Sequence, residues 1–506
     1  MIFRPPEPIS LWDSWVFPWE GRYHLFYLET QKTLHDHVGR AVSDDLVRWR
    51  RLESISTQGP EGSWDHGPTL TGCTVHHEGR FYLFVGSYDP TFENPREMIG
   101  VHISEDLKHW TPHPDNPILL AREPHYTADR AKSPYVSIDW RDPQIFWREE
   151  DKRFHGVLCA RRPGWDQEDY GIRVGHIASE DLIHWECLPP LAEVGDSVFL
   201  TEVPDFFCMN GRHYLTFNTS TFGGLRLNSP TRSNASGMVY MVASQFEGPY
   251  ALPADPILLG AGNYTAGPYS VRTIEYQGER LFYHQVGGGK YASWSSPKRV
   301  RCDDDGTLWP GYFPGLESLH TADIINSLDD IGEFNRRDPG LWQRRGERII
   351  AESMVAGSAL RIAEDMAHYH LQFTVRLGTA RCAGVVLRAE GFERGAHVLL
   401  DADQGRVQIG SASDYDGHSG PVKRPTVGWT LKMFDSFKCP IHRDRAYHVR
   451  CFVRNEHLEV YLDDRWVFST VFGDNPMPDR GAIELTIEAG QAEFGDVRLN
   501  EIEAMG

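Results

Sequence analysis

The chain of 506 residues contains no Cys-x-x-Cys pair. Its eight cysteines stand alone at positions 73, 159, 187, 208, 302, 382, 439 and 451, mostly inside apolar strand-like runs, as buried free thiols do. That spacing argues against a disulfide framework and fits a reducing compartment. No run of Lys or Arg occurs, and 51 basic against 71 acidic residues leave a net charge of −20. A nucleic-acid phosphate backbone is therefore a poor partner. No apolar run approaches the length of a membrane span. The segment Met1-Ile2-Phe3-Arg4-Pro5-Pro6 lacks the apolar stretch of a signal peptide. A cytoplasmic protein with no membrane partner is expected. His35/His37 and His76/His77 are pairs without a third ligand at sensible spacing, so neither a metal nor another cofactor is expected.

What the chain does have is aromatic residues, at 12%, and a motif that returns five times. Gly21-Arg22-Tyr23-His24-Leu25-Phe26-Tyr27 and Gly79-Arg80-Phe81-Tyr82-Leu83-Phe84 are near copies; weaker ones start at Lys152, Gly211 and Gly278. A second signature follows three of them: Gly39-Arg40-Ala41-Val42-Ser43 leading to Trp49, Gly100 to Ser104 leading to Trp110, and Gly175 to Ser179 leading to Trp185. Strand-rich units with this period predict a five-bladed β-propeller over residues 1–312. Residues 313–345 read as a linker, with a short helix near Ala322 to Leu328. From 346 to 506 regularly spaced strands with Gly/Asp/Asn turns predict a β-sandwich. The fold class is all-β, a five-bladed propeller followed by a C-terminal sandwich.

In a propeller the first strand of each blade lines the axis, so residues far apart in sequence converge at its mouth. Asp13, Asp142 and Glu202 each sit just ahead of a blade's first hairpin, in blades one, three and four, flanked by aromatic or apolar residues. Carboxylates buried near one another have their pKa values driven apart. Such a pair suits glycosidic bond cleavage: one group donates a proton, the other attacks or activates water. Arg141 beside Asp142 is expected to hold that carboxylate ionised.

Arg141-Asp142-Pro143 and Glu202-Val203-Pro204-Asp205-Phe206-Phe207 resemble the Arg-Asp-Pro and Glu-Cys-Pro-Asp motifs of glycoside hydrolase family 32, the invertases, levanases, inulinases and related fructosidases. The runs Gly21 to Tyr27 and Gly39 to Trp49 match that family's first blade. The resemblance implies a propeller followed by a sandwich. It also implies a retaining hydrolase of terminal furanosides, with Asp13 as nucleophile, Glu202 as general acid and base, and Asp142 with Arg141 holding sugar hydroxyls. Departures fall in the sugar-reading shell. The family's Trp-x-Asn-Asp-Pro-Asn-Gly survives only as Trp12 and Asp13, its fructose-contacting Gln falls at Leu28 or Glu29, and Phe-Ser-Gly-Ser becomes Thr71-Gly72-Cys73-Thr74.

Further substrate contacts are expected from Trp12 and Trp15 beside the first acid, from Trp64 and Asp65 where blade two begins, and from Tyr264 and Tyr269 in blade five. A second Arg-Asp-Pro, Arg337-Asp338-Pro339, reads as a linker turn. The partner implied is a glycoside or oligosaccharide. The aromatic strand Glu459–Trp466 of the sandwich leaves glycan binding or a homo-oligomer open. Two other readings stand beside the main one: an inverting propeller glycosidase of the α-L-arabinofuranosidase or β-xylosidase kind, and a non-catalytic carbohydrate-binding propeller.

Overall fold

The computed structural model describes residues 2–88, 96–129, 138–165, 170–195, 198–219, 227, 229–232, 236–261, 268–286, 292–332, 335–336, 341–354, 357–390, 395–413, 430–471 and 478–505. Four antiparallel four-stranded sheets follow one another, with strands in sequential order. Their inner strands are Ser10–Trp19, Thr69–His77, Trp140–Arg148 and Glu202–Met209. A fifth blade starts at Pro268–Tyr276 and ends at Leu308–Gly311.

The repeated Gly-Arg motif is a turn. Glu20-Gly21, Glu78-Gly79, Asn210-Gly211 and Gln277-Gly278 all have positive φ at both residues. This is the two-residue hairpin whose twist matches that of its flanking strands. The second signature is a turn as well. Asp45, Asp106 and Asp181 each accept two backbone N–H groups from the residues that follow. The leucine next to each acid is held at positive φ: Leu46, Leu107 and Leu182. In blades one and three the closing Trp donates its indole N–H to that leucine's carbonyl.

Every inner strand carries a bulge at one place. Two residues oppose one between Leu11 and Ser14, Leu70 and Cys73, Arg141 and Gln144, Glu202 and Asp205, and Tyr269 and Arg272. A bulge bends the strand and re-aims its side chains. Repeated five times around the axis, it turns the starts of all five strands toward a common centre. Arg272 closes the axis beneath: its buried guanidinium donates to the carbonyls of Gly72, Asp142 and Pro143, tying blade five to blades two and three.

The stretch 313–345 differs from the expected linker. Its strand His320–Ile325 pairs with Gly490–Ile502, and Leu341–Arg345 pairs with Arg348–Ser353, so both belong to the sandwich. The helix expected near Ala322 is that strand plus a short 3-10 turn at Leu328–Asp330. Two facing sheets enclose an apolar core that includes Leu371, Phe373, Val385, Leu400, Leu485 and Phe494.

One sandwich sheet continues blade five, joined through Gly311 and Arg465. Glu459 to Leu462 and Trp466 are buried against the propeller on either side of an exposed turn at Asp463-Asp464, so these side chains pack inward instead of forming the expected glycan or subunit surface. Glu459 and Lys298 form an ion pair at 3.0 Å with both side chains inaccessible, and the Arg232 guanidinium sits 4.4 Å over the Trp466 ring. All eight cysteines are free thiols. Among the described residues no helix is long and apolar enough to cross a membrane.

Candidate active site

Asp13, Asp142 and Glu202 come together. Each carboxylate lies within electrostatic reach of at least one of the others. Asp13 sits in the bulge of blade one and accepts a hydrogen bond of 2.6 Å from the Thr71 hydroxyl of blade two. Burial pushes its pKa up to about 6; the Thr71 bond works against that and the Glu202 charge adds to it. Asp142 occupies the same bulge in blade three at positive φ, accepting the Val203 N–H at 3.0 Å from blade four. Burial raises it to about 6 as well, with Arg141 opposing and Asp13 adding. Arg141 favours the ionised form of Asp142 from 3.6 Å, through its Nε, while its closer contacts lie elsewhere.

Those contacts organise the site. Arg141 donates to Asp139 at 2.6 Å, to both oxygens of Glu97 at 3.0 Å and to Glu202 at 2.8 Å. Arg161 pairs with the other oxygen of Asp139. One guanidinium therefore bridges three carboxylates from the starts of blades three and four and from blade two, its fork presenting several donors in one plane. Tyr269 of blade five donates its hydroxyl to the second oxygen of Glu202. Glu202 is more open than Asp142, with a side chain 21% accessible against 3%. Burial raises its pKa, Arg141 lowers it and Asp142 raises it again. Glu97 is pushed to about 7, first by burial, despite Arg141. Asp139 moves down: burial opposes this, but Arg141 and Arg161 outweigh it.

The other expected residues divide. Tyr269 and Arg141 join the acids, and Trp12 is half-buried beside Asp13 with its ring 5.6 Å from that of His35. Trp15 does not face the pocket. It is 2% exposed, stacks on Phe26 and donates its indole N–H to Thr74, so it is blade core. Trp64 is buried against Gly100, whose missing side chain leaves room for the indole. Asp65 is held by the Ser63 hydroxyl at 2.6 Å within its own loop. Neither Trp64 nor Asp65 is joined to the acids by any described contact. Glu29 is buried against Arg51 and Ser54 of its own blade. Tyr264 and the second Arg-Asp-Pro lie outside the described residues.

Glu97, Asp139, Arg161 and Arg272 were not singled out in the sequence, and Thr71 only as part of the run replacing Phe-Ser-Gly-Ser. Asp139 alone had a local signal, standing two residues before Arg141 on the same face of an extended chain.

A propeller whose axis gathers buried carboxylates of raised pKa around a bridging arginine has the groups that glycosidic cleavage needs, as in the glycoside hydrolase class. The profile of the "Glycosyl hydrolases family 32 N-terminal domain" matches residues 14–264, which contain Asp142 and Glu202 and begin one residue after Asp13. A sucrose-6-phosphate hydrolase of Zymomonas mobilis is 23% identical over 465 residues, covering 88% of this chain and 80% of that protein. Among solved structures, the sucrose-6-phosphate hydrolase of Lactobacillus gasseri has a TM-score of 0.66 at 16% identity, covering 98% of this chain and 91% of that one. The Cichorium intybus fructan 1-exohydrolase IIa in complex with 1-kestose has a TM-score of 0.63 at 15% identity, covering 99% and 97%. The chain belongs to glycoside hydrolase family 32. It is a fructofuranosidase-like O-glycosyl hydrolase, and neither the arabinofuranosidase- or xylosidase-like reading nor the non-catalytic one is favoured.

Proposed function

We propose that the propeller, residues 1–312, removes terminal fructofuranosyl units from small oligosaccharides by double displacement. Asp13 attacks the anomeric carbon while Glu202 protonates the leaving oxygen. Glu202 then takes a proton from the water that releases the sugar. Asp142 binds ring hydroxyls and, with Arg141, opposes the positive charge that develops in the transition state. The observation that carries this reading is the shared electrostatic environment of the three acids, drawn from blades one, three and four. The names of the relatives, hydrolases of sucrose 6-phosphate and fructans, support fructosyl substrates. The eight unpaired thiols support a reducing, cytoplasmic setting.

Stereochemistry tests the double displacement. With methanol as competing acceptor, the transferred furanoside is expected to keep its β configuration, read by NMR; an α product would assign inversion. The pH profile tests Asp13. A nucleophile must be ionised, so kcat/KM should fall as pH drops through about 6. Thr71→Val removes a hydrogen bond that favours the carboxylate form. The acidic limb is expected to move to higher pH by about half to one unit, with kcat lowered about tenfold. An unmoved limb would detach Asp13 from that limb.

A further inference from the structure

A cleft of about 1350 Å³ opens between blades one and two. Trp19, which lines it, ends the same strand that carries Asp13 six residues earlier. At roughly 3.3 Å per residue the two lie about 20 Å apart, so the cleft is remote from the acids. Arg40 forms part of its wall and is 5% exposed. Its guanidinium has one hydrogen bond, at the weak limit of 3.5 Å, to the carbonyl of Glu53. Its Nε has no partner, and among the described residues no carboxylate stands within ion-pair distance. Asp106 and Glu53 favour its charged form from beyond that distance, but burial outweighs them, and a buried cation without a direct partner is costly. His24 Nδ1 and Trp110 Nε1, on the same wall, are likewise buried without a partner.

The internal repeats show that the fold does not require a cation here. Arg40 pairs with Phe26 in the blade register, and the equivalent residues are Val101, His176 and Tyr240. Blade two has an apolar side chain at this position. In blade three, His176 is bonded to His155 at 2.8 Å; in blade four, the Tyr240 hydroxyl accepts the Leu308 N–H at 3.3 Å. Only blade one leaves its polar group unanswered among these four. Arg22, Arg50 and Lys108 also line the cleft, Arg22 paired with Asp44 at 3.2 Å. His24 registers those charges: burial first, then Arg40 and Arg22, hold its pKa down to about 4. Four acids line the same wall: Asp106 is engaged in capping its own turn, and Glu20, Glu53 and Glu105 are exposed. Trp19 and Trp110, both partly buried, line the cleft with rings of the kind that stack on sugar C–H groups.

We propose that this cleft is a second binding site, for a phosphorylated sugar, with Arg40 on the phosphoryl group and Trp19 against the sugar ring. A phosphate monoester carries nearly two charges and matches the guanidinium fork, which favours it over a singly charged carboxylate. Calorimetric titration with glucose 6-phosphate, glucuronate, glucose and inorganic phosphate tests this, on the wild type and on Glu202→Gln, Arg40→Met and Trp19→Ala. Glucose 6-phosphate should bind the wild type and Glu202→Gln alike, and at least about tenfold more weakly after Arg40→Met. Trp19→Ala, a change at the rim, should weaken binding severalfold with turnover unchanged. Glucose and phosphate alone should bind more weakly than the ester. Arg40→Met should melt no lower than the wild type without ligand, since it removes a charge whose burial outweighs its attraction to Asp106 and Glu53. Absence of saturable binding to the wild type, or equal binding by both cleft variants, would overturn the site. Glucuronate binding as tightly as the ester would overturn the phosphoryl assignment.

Discussion

Replacing Glu202 with Gln is expected to slow hydrolysis of a natural fructoside by about a hundred- to ten-thousand-fold, the usual worth of a positioned general acid. The loss should be far smaller on an aryl furanoside with an acidic phenol, whose departure needs no proton. The reason lies in how Glu202 is held. Arg141 binds one of its oxygens at 2.8 Å and Tyr269 the other, while its side chain remains 21% accessible. Burial keeps its proton on to higher pH than an ordinary glutamate would. The amide of Gln fills the same space and cannot supply that proton. Comparing kcat/KM on the two substrate classes checks the role; an equal loss on both would mean Glu202 only binds or positions.

Asp13→Asn is expected to abolish turnover, by four orders of magnitude or about that, and at the same time to stabilise the fold at neutral pH. In the folded protein Asp13 titrates near 6 instead of 3.8. Below about pH 4 the carboxyl is protonated whether the chain is folded or not, and it costs nothing. Between about 4 and 6 the unfolded chain has lost a proton that the folded one keeps, so stability falls as pH rises through that window. Above about pH 6 the loss is complete and amounts to about 3 kcal/mol. Asparagine carries no charge and also relieves Glu202 and Asp142, which both sense this site. Chemical denaturation should therefore find the variant about 1–3 kcal/mol more stable than the wild type at pH 7, with the gain gone near pH 4. A variant equally destabilised at both pH values would show that Asp13 is a structural ligand of Thr71 and not a charge held under tension.

Much of this was legible in the chain. The glycine of four of the five first hairpins and the Ser-Asp-Leu turns are local, sequence-encoded devices, so the blades could be drafted one by one. The three acids stood out because each preceded such a hairpin. Direction was harder. Trp15 lies two residues from Asp13 and was expected to face the pocket, yet inner strands are covered on both sides by neighbouring blades, and its indole went into the core with Phe26. Long-range partners left no local trace. Glu97 meets Arg141 across 44 positions and Arg272 meets Gly72 across 200. The buried pair of Lys298 and Glu459 spans 161, and each residue alone reads as ordinary surface. The stretch after Pro310 looked like a connector because its two strands pair with segments far along the chain or at the edge of a sheet.

The division of labour between Asp13 and Glu202 is tested most directly by trapping. Glu202→Gln, mixed with a fructofuranoside bearing an activated leaving group, should accumulate a covalent sugar–enzyme ester, because the second step then lacks its base. Peptide mass spectrometry is predicted to find one fructosyl residue on the fragment containing Asp13. The same residue on the fragment containing Asp142, or steady turnover to an inverted product with no labelled peptide, would contradict it.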